Sequence, residues 1–296
     1  MINKIKSFKK EILEPNLIVL KKDKTALICS IMFIIFILTA LFAPLIAPHG
    51  PREILISKDG KILSYLRPSF DFLLGTTPLG QDILSQLIYG SRPALVVGIC
   101  AGLMVATIGT LVGLFSGFYG GRLDNILMWI TDIFFGIPFL PLIILLAAYF
   151  GASTWNIIIA VGFLLWRDAA RPIRSQVLEL REREFVQVAE VAGASPFRMI
   201  FVHIAPNIFP LSTLYASLSM GWAILTEASV SFLGLGSSTT VSWGYMLHEA
   251  FQSQAMGRGA FYWFIPPGIC ILLLVFSSFA IGRSYEEILI PTLRGE

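Results

Sequence analysis

Charge is scarce in this chain. Only 14% of its 296 residues are Asp, Glu, Lys or Arg, 55% are hydrophobic, and the mean hydropathy is +0.76. Soluble domains carry roughly a quarter charged residues, so a bilayer is the expected solvent. The net charge of +3 is too small to call for nucleic acid, and Lys and Arg sit in blocks beside apolar runs, as membrane flanks do. Histidine is down to three residues, which argues against a multi-His metal site. Cys29, Cys100 and Cys270 all lie inside apolar runs, where cysteine acts as a small hydrophobe, so no disulfide or metal framework is implied. The chain also lacks a G-x-x-x-x-G-K-[ST] loop and a G-x-S-x-G elbow, and no second His follows His248-Glu249 at zinc-protease spacing. No reactive constellation is left for an enzyme, and no cofactor is expected on this chain.

What the chain has is long apolar runs. Residues 1–24 hold seven Lys against Glu11, Glu14 and Asp23, and Ala26 to Ala47 follows with no charge over 22 residues, about one bilayer thickness. The long charged lead and long apolar run read as a retained anchor with a cytoplasmic N-terminus, not a cleaved signal. Residues 48–92 are polar, charge-balanced and proline-rich, as an extracytoplasmic segment permits. Pro93 to Gly121 is uncharged over 29 residues, and its Gly98/Gly102, Gly109/Gly113 and Gly113/Gly117 pairs predict close helix packing. A third span is expected from Asn125 to Phe150, kinked by Pro138 and Pro141. A fourth descends from the Gly151–Asn156 turn to Arg167, Asp168 and Arg171. The fifth runs from near Phe201 to Glu227–Gly236, and 237–260 forms an external loop. Gly259 to Gly282 is a sixth uncharged run, and 286–296 is a charged tail. The expectation is an all-α membrane protein with six spans, a five-helix core over 93–285, and both termini in the cytoplasm.

Two acids lie inside these spans, where charge is often functional. Asp132 is close to the inner end and could line a pathway, reach the interface or pair with Arg122. Glu227, roughly 36 Å beyond His203 on a helix, is expected near the outer interface.

Arg181 to Pro210 is a charged stretch set between long apolar runs, and it has internal order. Phe185, Val188, Ala189 and Ala192 recur at i, i+3, i+4 and i+7, one helix face, with Arg183, Gln187 and Glu190 opposite. Gly193 suits a left-handed stop, and Ser195-Pro196 suits an N-cap and first turn. Glu179 and Arg183, four apart, can brace the approach. Periodicity leaves two readings open: a helix lying on the lipid surface, or one docking into a partner's groove.

The same stretch resembles the EAA loop of ABC-importer permeases. The triplet is Gln187-Val188-Ala189, the glycine four positions on is Gly193, and the proline thirteen beyond is Pro206. Gln187 and Val188 depart from the Glu-Ala-Ala form. Leu74 to Asp82, LGTTPLGQD, resembles the LGTDxLGRD signature of the C-type permeases of the dipeptide/oligopeptide/nickel family. Glu227 to Gly236, EASVSFLGLG, resembles their EAxLSFLGLG, and Trp243-Gly244 their WG. Gln81 and Gln86 stand where that family commonly has Arg, and Arg283 where it has the Asp of a GD pair.

The resemblance implies a type I importer permease (MetI-like), half of a translocation pathway in the inner membrane. Its partners would be a homologous B-type subunit, two cytoplasmic ATPases carrying ATP and Mg, and an extracytoplasmic substrate-binding protein. The cargo would be peptides, or else nickel, metal chelates or oligosaccharides. The coupling loop, about 175–206, would present Glu184, Phe185, Gln187, Val188, Ala189, Ala192, Gly193, Ala194, Ser195 and Pro206 to the ATPases. Asp82, Asp132, Glu227 and Phe232 are the pathway or gate candidates. A channel or stand-alone carrier is disfavoured, since no clear repeat and few mid-span charges occur.

Overall fold

The computed structural model describes residues 24–289 apart from 152 and 238. Residues 1–23 of the expected basic segment, and 290–296 of the expected tail, lie outside the described residues. In order, the helices are α1 (Lys24–Leu41), α2 (Ala43–Ile46), α3 (Ile83–Tyr119), α4 (Gly121–Gly136), α5 (Phe139–Phe150), α6 (Thr154–Arg181), α7 (Glu184–Val191), α8 (Pro196–Arg198), a π-helical turn (Met199–Ile204), α9 (Ala205–Phe232), α10 (Trp243–Gln252) and α11 (Phe261–Leu289). The only bridges between extended residues among those described are Ile56 with Ile62 and Thr76 with Asp82.

Four of these stretches are long and apolar enough to cross a bilayer: α1, α3, α8 through α9, and α11. The α4–α5 pair makes a fifth if it is one bent span. The expected count of six is not reached on this measure, because α6 carries Arg167, Asp168, Arg171 and Arg174 from its middle onward. Residues such as Ile28, Ile34, Leu38 and Leu41 of α1 are exposed, which is normal for a surface solvated by lipid.

α3 is the axis of the bundle, and glycine makes it so. Its second half packs on α6: a Cβ on Gly113 would lie 2.8 Å from the Ala170 carbonyl, and Gly109 and Gly117 meet Trp166–Ala169 and Arg174–Val177 in the same way. Its first half packs on α9, where Gly102 faces the Ala216 carbonyl and Gly98 faces Met220 and Ile224. The expected small-residue pairs therefore divide between two neighbours, each brought to backbone distance. α3 begins at Ile83, well before the expected Pro93, because Asp82 caps it.

The third expected span is broken, not kinked: α4 and α5 meet at 80°. Pro138 has no N–H for the carbonyl of Phe134, and it forces Ile137 into an extended conformation (φ −85°, ψ 124°). The external loop also holds more structure than expected, since α10 lies within it. Buried side chains form two clusters, one around α3, α6 and the start of α9, the other around α3, α10, α11 and the end of α9.

Candidate functional site

At the end expected inside, α6 turns into α7, and α7 into α8. Gly193 ends α7 at φ +81°, a conformation that costs other residues about 1–2 kcal/mol. Its N–H donates to the Glu190 carbonyl at 2.9 Å and that of Ala194 to Ala189 at 3.0 Å, closing the helix on itself. Ser195 Oγ accepts the Arg198 N–H at 3.4 Å, and Pro196 occupies the first turn of the restart. Glu179 accepts from Arg183 at 2.5 Å, so the approach is braced as the spacing suggested. Gln187 donates to the Glu182 carbonyl at 3.3 Å, and Glu184 lies in α7's first turn.

What α7 buries is little. Val186 is its one buried residue, set into the α3–α6 cluster, and Ala194 packs against the same cluster. Phe185 (44% exposed), Val188 (67%) and Val191 (90%) stand outward, with Phe197 beyond the bend at 71%. Ala189 is half-buried, and Ala192, Gly193 and Ser195 are exposed. Pro206 sits exposed at the start of α9; it offers no N–H to Val202, and the preceding turn widens to π form.

α7 hangs from α6, and α6 is tied to α4 by arginines. Arg174 makes a two-pronged bond to Asp124, both contacts at 2.6 Å, and Ser116 of α3 donates to the same carboxylate. Arg171 pairs with Asp132 and stacks on Phe135 at 4.3 Å. Arg122, the partner considered from sequence, does not hold Asp132. Arg167, buried, donates to the Phe134 carbonyl, the group that Pro138 leaves without its helical donor. Arg181 reaches the Phe118 carbonyl at 3.1 Å. The broken span is gripped along one flank by one face of α6.

The other end is closed on itself. Asp82 caps α3: its Oδ2 accepts the Ser85 N–H at 2.9 Å and Oγ–H at 2.6 Å, all buried. Glu227 is buried near the end of α9, accepting Ser231 Oγ–H at 2.7 Å, with Ser242 at the cap of α10 close by. Phe232 packs edge-on to Phe251 at 5.7 Å, and its carbonyl meets His248 Nδ1 at 2.8 Å. Trp243, buried, donates to the Leu87 carbonyl at 2.9 Å and covers Gly90. Gly244 lets α10 touch α9: a Cβ there would lie 2.4 Å from the Ala228 carbonyl. The three stretches LGTTPLGQD, EASVSFLGLG and WG thus meet in one joint.

Comparison with known proteins gives the chain its family. The family model described as the binding-protein-dependent transport system inner membrane component matches residues 109–289. This chain belongs to that permease family. The model of the N-terminal TM domain of oligopeptide transport permease C matches residues 17–68 of the permease. It is 32% identical over 277 residues to the dipeptide transport system permease protein DppC of Bacillus subtilis, covering 93% of this chain and 84% of the relative. It is 34% identical over 276 residues to the oligopeptide transport system permease protein OppC of the same organism, covering 93% and 88%. With DppC of Haemophilus influenzae it shares 34% over 283 residues, covering 93% and 92%. The permease is a multi-pass inner-membrane transport component.

Sequence reasoning missed several residues of the permease that the fold uses. Val186, the anchor of α7, lies off the periodic face. Asp124 and Arg174 are not among the candidates named from the sequence. Their signal was present: Arg167, Arg171 and Arg174 fall at i, i+4 and i+7 on one face of α6. Gln81 and Gln86, noted above as departures from the resembled signature, hydrogen-bond each other at 2.7 Å, and Gln86 also holds the Pro51 carbonyl at 3.2 Å.

Proposed function

We propose that this permease is the C-type half of an ATP-driven peptide importer. It crosses the membrane six times, with α1, α3, the bent α4–α5 pair, α6, the α8–α9 stretch and α11 as spans and both termini inside. A homologous B-type subunit completes the pathway, an extracytoplasmic binding protein delivers cargo, and two cytoplasmic ATPases carry the ATP and Mg. The peptide cargo is supported by the relatives, which are named for dipeptide and oligopeptide transport.

The observation that carries the coupling role is the imbalance of α7. Val186 alone is buried, while Phe185, Val188 and Val191 stand outward. A helix lying on lipid would need only that apolar face, but this one is also bounded by two capped bends and hung from an arginine-tied α6. Such a body moves as a unit and suits a partner's groove. In this reading Asp132 works in the α4–α6 tie, and Asp82, Glu227 and Phe232 hold the outer joint that moves as one piece during alternating access.

A single labelling experiment tests side and docking together. With Cys29, Cys100 and Cys270 replaced by Ala, Gln187→Cys should react with an impermeant thiol reagent only from the cytoplasmic face. Adding back the ATPase pair should slow the reaction about tenfold or more, as burial in an interface requires. Reaction from the outer face, or a rate indifferent to the ATPases, would overturn the reading.

A further inference from the structure

A cavity of about 360 Å³ opens where the start of α6, the stretch of α3 around Arg92–Val96 and the loop before α10 come together. Its one charged lining residue among those described is Arg92, and no carboxylate lines it. Arg92 is held in place from behind: its Nε–H donates to the Ala40 carbonyl at 2.8 Å, and its guanidinium lies 5.1 Å from the Tyr89 ring centroid. No hydrogen bond among the described residues takes Nη1 or Nη2, so both terminal amino groups remain available to a ligand.

The opposite wall supplies more donors. Ser153 precedes α6 without a side-chain cap, so the first N–H groups of a 28-residue helix lie at the cavity with their positive dipole end. The hydroxyls of Thr154 and Thr240 have no hydrogen-bond partner among the described residues, and Ser237 and Thr239 bond only locally. Val96 and Trp155 give the cavity an apolar side; they are 42% and 62% exposed. A guanidinium, free hydroxyls and an uncapped helix start, with no acid among them, match a planar two-oxygen anion beside an apolar group. Cavities of roughly 300–1,000 Å³ are the usual size for small-ligand sites.

We propose that this cavity seats the C-terminal carboxylate of the peptide as it enters from the outer side, with Arg92 as the carboxylate-binding residue and Val96 and Trp155 against the last side chain. The proposal rests on the peptide-importer reading above and adds which end of the peptide the permease engages. A lipid phosphate is the other source of a comparable anion at this depth, and the test separates the two.

The importer is reconstituted with its partner subunits and binding protein, and uptake of a labelled dipeptide is compared with that of its C-terminal amide. For each peptide the rate is expressed relative to wild type, which cancels any preference of the binding protein. Arg92→Gln should lower relative uptake of the free acid about tenfold while changing the amide less than about twofold. Because Arg92 also ties α3 to α1, Thr240→Asp provides a second arm that leaves the Ala40 bond untouched. An added anion there should likewise depress the free acid and spare the amide. If Thr240→Asp treats acid and amide alike, the carboxylate seat is overturned, whatever Arg92→Gln does. A loss that follows phosphatidylglycerol content instead of the peptide's end overturns it in favour of a lipid headgroup. Wild-type uptake of neither peptide overturns the peptide reading and the seat together, a result distinct from uptake that ignores the carboxylate.

Discussion

The two ends of this permease are built on opposite principles. At the end taken as outer every polar side chain that the sequence motifs supply finds a partner within the chain: Asp82 on Ser85, Glu227 on Ser231, Trp243 on Leu87. At the end taken as inner the backbone is also capped, yet Phe185, Val188, Val191 and Phe197 stand exposed, with Phe197 against Phe201 at 4.6 Å. One end is complete in a single chain, and in the proposed importer the other is completed by the ATPases. Changes at the outer end should therefore act on assembly, and changes at the inner end on the conversion of ATP into transport.

The comparison is tested most severely at Gly244. A side chain there meets backbone, the Ala228 carbonyl at 2.4 Å and Cα at 2.7 Å, so no rotamer change relieves it. Gly244→Val forces α10 away from α9, with an overpacking cost of about 1–3 kcal/mol before the Trp243–Leu87 bond is counted. Loss of folded permease from the membrane fraction, measured by detergent extraction and size exclusion, is the expected result. Recovery of a well-assembled but inactive Gly244→Val complex would show that the outer joint is functional machinery more than a structural lock.

Gly193 asks the complementary question. Nothing lies within 4 Å of a Cβ added there, so a large side chain has room, and the cost is the positive φ alone. That cost, about 1–2 kcal/mol, is too small to unfold the chain but sufficient to reorient α7 against α8. Gly193→Trp should assemble with the ATPases, hydrolyse ATP and lose uptake by about tenfold. Normal uptake by an assembled Gly193→Trp complex sinks the idea that this bend sets the coupling geometry.

How much of this was legible beforehand depended on whether the signal was local. The α7 stop at Gly193, the Ser195-Pro196 restart and the Glu179–Arg183 brace are properties of a few adjacent residues, and the spacing alone revealed them. The break at Pro138 was seen as a kink, because proline's effect on its own helix is local while the arginine that joins the Ile137 N–H on the Phe134 carbonyl comes from α6. α10 was read as loop, since its two anchoring residues, Trp243 and Gly244, are explained only by surfaces on α3 and α9. Glu227 was placed near the outer interface on rise alone, but burial between two serines from different elements could not be inferred from one helix. Val186 illustrates the same limit in miniature: the periodic apolar face of α7 is the exposed one, and the anchor is a single residue beside it.

The α4–α6 tie lies between the two ends and should give the smallest effect of the three. Asp124 accepts two bonds from Arg174 and one from Ser116, so neutralising it strands a guanidinium that is only one-third exposed, 32% at the side chain. Removing one partner of such a pair costs about 1–3 kcal/mol, much of it spread over a helix pair that Arg171 and Arg167 still hold. Asp124→Asn and Arg174→Gln should each leave assembly and ATP hydrolysis near wild type and lower uptake per ATP a few-fold. The reversed pair, Asp124→Arg with Arg174→Asp, restores the attraction between α4 and α6 but not the Ser116 bond to the carboxylate. Its uptake per ATP should therefore exceed that of either single variant and stay below wild type. If both singles lose activity only in proportion to lost protein, and the reversed pair recovers protein alone, the arginines are structural like the outer joint. The division between a closed outer end and a motion-bearing inner end would then have to be drawn below α4, at the turn into α7.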